Sequence, residues 1–222
     1  MKTESPFRGI LGLGSVSTNY YLQRIHQKYK DNNQEFSTCP LLLYQIDFQE
    51  LNPFLPNDFK VIKPKLEHYL REVQNLGISK ILIPNITLHE TLDQIKSSVK
   101  ICHAVDLTLK FLKENNMTSI TLFGTNYTMN SAYIQGKFKL ENIAIVLPQK
   151  EDQLWIDDFR KAVYTTSATP SQQLEFQDLI RKYGQENPVV LACTELSVFS
   201  LKEESVCVDM AELQIGEFLK PL

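Results

Sequence analysis

The chain of 222 residues carries 43% hydrophobic and 22% charged residues, the balance of a folded globular protein and not of a disordered, collagenous or disulfide-scaffold chain. At about 150 residues per domain, the length allows one large α/β domain or two small intertwined ones. With 23 basic against 26 acidic residues, a net charge of −3 and a pI near 5.8, there is no basic excess to neutralise a phosphate backbone or an anionic bilayer, so no nucleic acid and no membrane is expected as partner.

No apolar run approaches the ~18 residues of a membrane helix. The segment Met1 to Phe7, with Glu4, Pro6 and only Lys2 as a cation, does not read as a signal peptide. Four widely spaced cysteines, Cys39, Cys102, Cys193 and Cys207, form no CxxC pair, which suggests no zinc ribbon and no disulfide framework. The expected location is the cytoplasm, and no metal is expected.

In chain order, the strand candidates are Phe7 to Leu13, Cys39 to Ile46, Ser79 to Asn85, Thr118 to Gly124, Asn142 to Leu147 and Pro188 to Cys193. Pro53, Pro56 and Pro64 mark a long loop after the second. Leu66, Tyr69, Leu70, Val73 and Leu76 form a helical stripe that stops at Gly77. Ile95, Val99, Ala104, Leu107, Leu109 and Leu112 predict one longer helix, and Leu174, Leu179, Ile180 and Tyr183 another before Gly184. Strands alternating with helices in this way predict an α/β fold whose parallel sheet is covered on both faces.

The glycines betray an internal repeat. Gly14, followed by Ser15 and Thr18, and Gly124, followed by Thr125 and Thr128, each close a strand and open a helix. A further strand end follows each at similar distance: Asn85-Ile86-Thr87 lies 85 − 14 = 71 residues after the first, and Cys193-Thr194-Glu195 lies 193 − 124 = 69 after the second. Ligands of open α/β sheets sit beyond the carboxyl ends of the strands, so these four loops are expected to share one cleft.

Cys193 stands at the predicted junction of a strand and a helix, where free N–H groups and the helix dipole favour a thiolate able to act as base or nucleophile; a buried small apolar residue is the plainer alternative. For Cys39, Cys102 and Cys207 packing is the reading. Thr87, Thr125, Thr128 and Thr194 are placed to hold a carboxylate together with neighbouring amides, although capping alone accounts for each. His89 reads as structural. Gly12 and Gly14 begin a dinucleotide-loop pattern, but position 17 is Ser17 where a third glycine is due, so a nicotinamide cofactor is rejected.

Taken together, Gly9 to Gly14 with Ser17-Thr18 and Tyr20-Tyr21, Tyr44 to Phe48, Pro84 to His89, Leu122 to Thr125 with Thr128-Met129, and Leu191 to Leu196 resemble the aspartate/glutamate racemase family over nearly the whole chain. The resemblance implies two similar parallel-sheet, Rossmann-like halves related by a pseudo-twofold axis, with the site in the cleft between them. It implies residues 1–98 plus 207–222 as the first half and 99–206 as the second, the strand-like Val206-Cys207-Val208 crossing back to complete the first. It also implies a homodimer, no cofactor, and a small amino-acid or dicarboxylate substrate whose α-carbon exchanges a proton with one cysteine from each half.

Residue by residue, Cys193 matches the second catalytic cysteine, and Asn85 stands where the first belongs. Gly14, Ser15, Ile86, Thr87, Thr125, Thr128 and Thr194 match substrate-binding positions, and Lys161, with Arg160, is the candidate for a distal carboxylate. Gln45, Leu13, Ser15 and Ile86 depart from the family pattern. An amide cannot act as a general base. The expected activity is therefore a one-sided or impaired amino-acid racemase, with a single-cysteine decarboxylase or isomerase of small carboxylic acids, or an inactive carboxylate-binding homologue, as alternatives.

Overall fold

The first glycine-ended run becomes β1 (Phe7–Gly12), which leads into α1 (Ser15–Asp31), β2 (Leu42–Gln45), α2 (Phe59–Asn75), β3 (Ile78–Leu82), the single turn α3 (His89–Leu92) and β4 (Lys100–Ile101). The computed structural model describes residues 7–201 and 206–222; Met1 to Pro6, read above for a leader, lie outside the described residues. These strands make a parallel sheet in the order β2-β1-β3-β4. Ile10, Leu11, Ile81 and Leu82 are wholly buried, as strands covered on both faces require. Helix α2 sets Ile62, Leu66, Leu70 and Val73 against this sheet, and Gly77 at φ +81° supplies the left-handed turn into β3.

The chain continues through α4 (Ala104–Glu114), β5 (Ser119–Gly124), α5 (Asn126–Asn130), α6 (Ala132–Leu140), β6 (Ala144–Val146), α7 (Lys150–Tyr164), α8 (Pro170–Gly184), β7 (Val189–Ala192), the single turn α9 (Thr194–Ser197), β8 (Cys207–Asp209) and α10 (Met210–Leu219). The second sheet is also parallel, in the order β6-β5-β7-β8. Its core joins Phe123, Phe159 and Phe176, the last two stacked with ring centroids 4.9 Å apart. The repeat is therefore real: each half places its first strand between its second and third, with the fourth beyond the third.

The structure departs from the sequence reading in three places. The helix expected across Ile95 to Leu112 is interrupted. Lys100 and Ile101 pair with Lys80 and Ile81, and the Cys102 amide donates to the Ile81 carbonyl at 2.8 Å, so a two-residue strand precedes the helix that starts at Ala104. Pro64 lies inside α2 on its exposed side and does not end the helix.

The third departure concerns the division of the chain, which falls into Met1–His103 with Gln214–Leu222 and Ala104–Leu213, not 1–98 with 207–222 and 99–206. β4 belongs to the first sheet, and β8 pairs with β7, Val208 opposite Val190, so Cys207 and Val208 complete the second sheet rather than the first. The return begins inside α10. Gln214 accepts from Tyr21 Oη and donates to the Cys102 carbonyl at 2.8 Å; Arg8 reaches the Phe218 carbonyl at 2.9 Å; and the enclosed Lys80 ammonium holds the carbonyls of Lys220 and Pro221 at 2.7 and 3.0 Å.

Candidate functional site

In the second unit, the carboxyl ends of β5 and β7 are neighbours, Gly124 opposite Ala192. A side chain at Gly124 would meet Thr128 Cβ at 3.1 Å and the Ala192 carbonyl at 3.3 Å, so glycine lets the loop after β5 lie close against both. Thr125 caps α5: its Oγ1 accepts from the Thr128 amide at 2.9 Å and lies 2.9 Å from Thr128 Oγ1. The Asn126 amide is tied to Asp157 on α7 at 3.0 Å. Asp157 in turn holds Arg160 Nε at 3.0 Å and Lys161 Nζ at 2.9 Å. Burial pushes the Asp157 carboxyl up, but hydrogen bonds from Lys161, the Asn126 amide and Arg160 outweigh it and hold the group below the usual range.

Cys193 follows directly on β7 and is 5% exposed. Its Sγ donates to Glu195 Oε2 at 3.0 Å, and Thr194 Oγ1 donates to the same oxygen at 3.2 Å. Burial, then the charge and hydrogen bond of Glu195, push the thiol well above its ordinary range; Arg160 and the Glu195 amide pull the other way and lose. The sequence favoured a thiolate here. The group is instead a thiol, because a one-turn helix has too few aligned peptides to offset a neighbouring carboxylate and burial.

Lys161 is exposed and engaged by Asp157 and Asp158. Arg160 bonds Asp157 through Nε alone among the described residues, which leaves its terminal guanidinium nitrogens for another acceptor.

In the first unit, Gly14 is the residue before α1 and Ser15 is exposed. Ser17 Oγ donates to the Gly14 carbonyl at 3.1 Å, and Thr18 Oγ1 accepts from the Leu13 amide at 3.1 Å. By helix capping, Gly14 corresponds to Thr125 and Ser17 to Thr128, one residue away from the correspondence read from the glycines. β3 ends at Leu82, and Asn85 lies in the loop between it and α3, as Cys193 lies between β7 and α9 in the other half.

Asn85 is half-buried, and its Oδ1 accepts from the Leu88 amide at 3.1 Å, closing the turn into α3. The side chain of Ile86 is buried, so only its backbone is left to meet a ligand. The Thr87 hydroxyl has no hydrogen-bond partner among the described residues and is half-exposed. His89 opens α3 and is fully buried. Its Nε2 lies 3.2 Å from the Gln214 amide nitrogen and is the acceptor of that pair, which makes the ring a packing element.

Cys39 and Cys102 are buried, and burial pushes the Cys102 thiol up to about 12, as expected of packing cysteines. The sequence reading passed over Glu195, Asp157, Ser197 and Asp209 as members of this neighbourhood. Only Asp157 left a trace, in its i+3 and i+4 spacing to Arg160 and Lys161. No helix among the described residues is long and apolar enough to cross a membrane.

No family model matches the chain. Solved structures do. A Yersinia pestis protein assigned as an Asp/Glu racemase superposes with a TM-score of 0.81 at 20% identity, over 96% of this chain and 97% of that one. An aspartate racemase homologue from Pyrococcus horikoshii gives 0.79 at 17% identity over 96% and 97% of the two chains, and the Picrophilus torridus aspartate racemase 0.79 at 20% over 96% and 93%. The chain has the aspartate/glutamate racemase fold. Two parallel four-stranded sheets with flanking helices are what it shares with those racemases.

Proposed function

We propose that the chain is a cofactor-independent amino-acid racemase of the aspartate/glutamate type in which Cys193 moves the α-proton. The observation that carries this reading is the Cys193 thiol at the end of β7, 3.0 Å from the Glu195 carboxylate, in a chain with the racemase fold. As a thiol, Cys193 is a proton donor to a carbanion. To act as base it passes its proton to Glu195 Oε2, leaving a thiolate that the Arg160 charge steadies.

Within the second unit Thr194, Thr125 and Thr128 offer hydroxyls that suit a carboxylate, and within the first the Gly14-Ser15 and Ile86-Thr87 loops carry donors of the same kind. Arg160 is better disposed than Lys161 to take a second carboxylate, since its terminal nitrogens have no partner among the described residues. A single-cysteine decarboxylase is the second reading, favoured by Asn85: quenching a carbanion left by CO2 loss needs one proton donor.

Proton NMR in D2O separates them. L- and D-aspartate and L- and D-glutamate are incubated separately, with loss of the α-proton signal and appearance of the other enantiomer followed together. Exchange with inversion supports the racemase; no exchange on any of the four, with CO2 released from a malonate-type acid, supports the decarboxylase and defeats the first reading.

A further inference from the structure

Away from the strand-end loops, the first unit carries a groove of about 580 Å³ between one face of α2 and the loop 94–98 that leads into β4. Lys63, Glu67 and Arg71 stand at i, i+4 and i+8 on that face, and Lys96 faces them from the loop wall. The spacing puts Glu67 within reach of both helix cations, yet none of Lys63, Arg71 and Lys96 makes an ion pair or hydrogen bond with any described residue. The groove therefore gathers three cations against one carboxylate, a surplus of +2 in a chain whose net charge is −3.

The loop adds donors. The amides of Lys96, Ser97 and Ser98 donate to no acceptor among the described residues, and Ser97 Oγ already accepts from the Val99 amide at 3.1 Å, which leaves its proton to give away. Consecutive unspent amides beside hydroxyls and cations suit an anion with several acceptor oxygens. Leu70 and Ile95 supply an apolar floor for a carbon body.

We propose that this groove binds a small phosphate monoester. Its phosphoryl group, near −2 at neutral pH, matches the +2 surplus, and its organic part lies on Leu70 and Ile95. Part of the charge is exposed, so binding weakens with salt.

The test uses amide NMR on the full chain at matched ionic strength, titrating sodium phosphate, AMP and sodium chloride into the wild type and into Lys63→Gln/Arg71→Gln/Lys96→Gln. The expected result is a saturable shift of the Lys96, Ser97 and Ser98 amides with phosphate and AMP but not chloride, tighter for AMP, and weakened roughly tenfold or more in the triple variant. No saturation, equal binding by the triple variant, or shifts confined to the Thr125 and Cys193 loops overturns the site; AMP binding no tighter than phosphate removes the monoester. None of these outcomes depends on whether the chain racemises amino acids.

Discussion

Cys193 Sγ lies 3.0 Å from Glu195 Oε2 and gives its proton to it, so thiol and carboxylate act as one proton-holding pair. Glu195→Gln removes the charge that helps keep the thiol protonated. The Cys193 thiol is then expected to titrate at lower pH and to alkylate faster, read by site-resolved mass spectrometry. Substrate α-proton exchange falls by about 100-fold, the scale of a lost proton relay. Unchanged exchange would leave Glu195 a mere hydrogen-bond acceptor.

Cys193→Ala is expected to abolish exchange while costing about 1 kcal/mol of stability, the loss of one buried sulfur. Retained turnover in that variant would take the chemistry away from the thiol.

At Asn85 two replacements ask different questions. On the proposed reading Asn85→Cys adds a second titratable group but forfeits the oxygen that accepts from the Leu88 amide, so racemisation is expected to rise while the protein loses about 1 kcal/mol, read by exchange rate and urea midpoint. Asn85→Asp keeps that acceptor and is expected to leave the midpoint in place. If neither variant gains exchange, a missing base is not what limits the reaction.

Asp209 ends β8 buried, accepting from Ser197 Oγ at 2.8 Å and the Ala211 amide at 2.9 Å, with no hydrogen-bond partner for Oδ2 among the described residues. Burial lifts its carboxyl to about 6 from an ordinary 3.8, against the Ser197 hydrogen bond and with the Glu212 charge adding to the rise. A raised carboxyl means that the native state holds its proton longer than the unfolded chain. This residue's contribution therefore declines as pH rises from about 4 to 6, by about 3 kcal/mol in all. Asp209→Asn should flatten that limb in urea melts across the range. Glu217, held near 2 by hydrogen bonds from Lys100 and Lys220, works in the opposite sense: its contribution is full above about 4.5 and is lost as pH falls toward 2.

Lys80→Met removes the donor that holds the carbonyls of Lys220 and Pro221. Stability is expected to drop by about 2 kcal/mol, with hydrogen exchange at Gln214–Leu219 accelerated more than in Ala104–Leu213.

The first three strands of each sheet were legible because each is a short apolar run bounded by polar or glycine residues, and the repeat was legible because Gly124 sits where a side chain would crowd Thr128 and the Ala192 carbonyl. β4 was not. Val99 and Ile101 alternate like a strand, but two residues are too few to outweigh the helical spacing of Leu109 and Leu112 beyond them. The side of the division to which Cys207 and Val208 belong depended on pairing with β7, and pairing between strands far apart in sequence leaves no local pattern. That Cys193 and Asn85 lie just past strand ends could be read from the chain alone. The protonation of Cys193 could not, since it arises from burial and from which way the Glu195 side chain turns.

Residues 214–222 belong to the first unit although the whole of Ala104–Leu213 is made before them. During synthesis the earlier segment cannot finish folding first: the grip of Lys80 on Lys220 and Pro221 and the meeting of Tyr21 with Gln214 wait until the second unit has been made. The later-made unit, continuous in sequence, needs no residue made after it and can close without waiting for the tail.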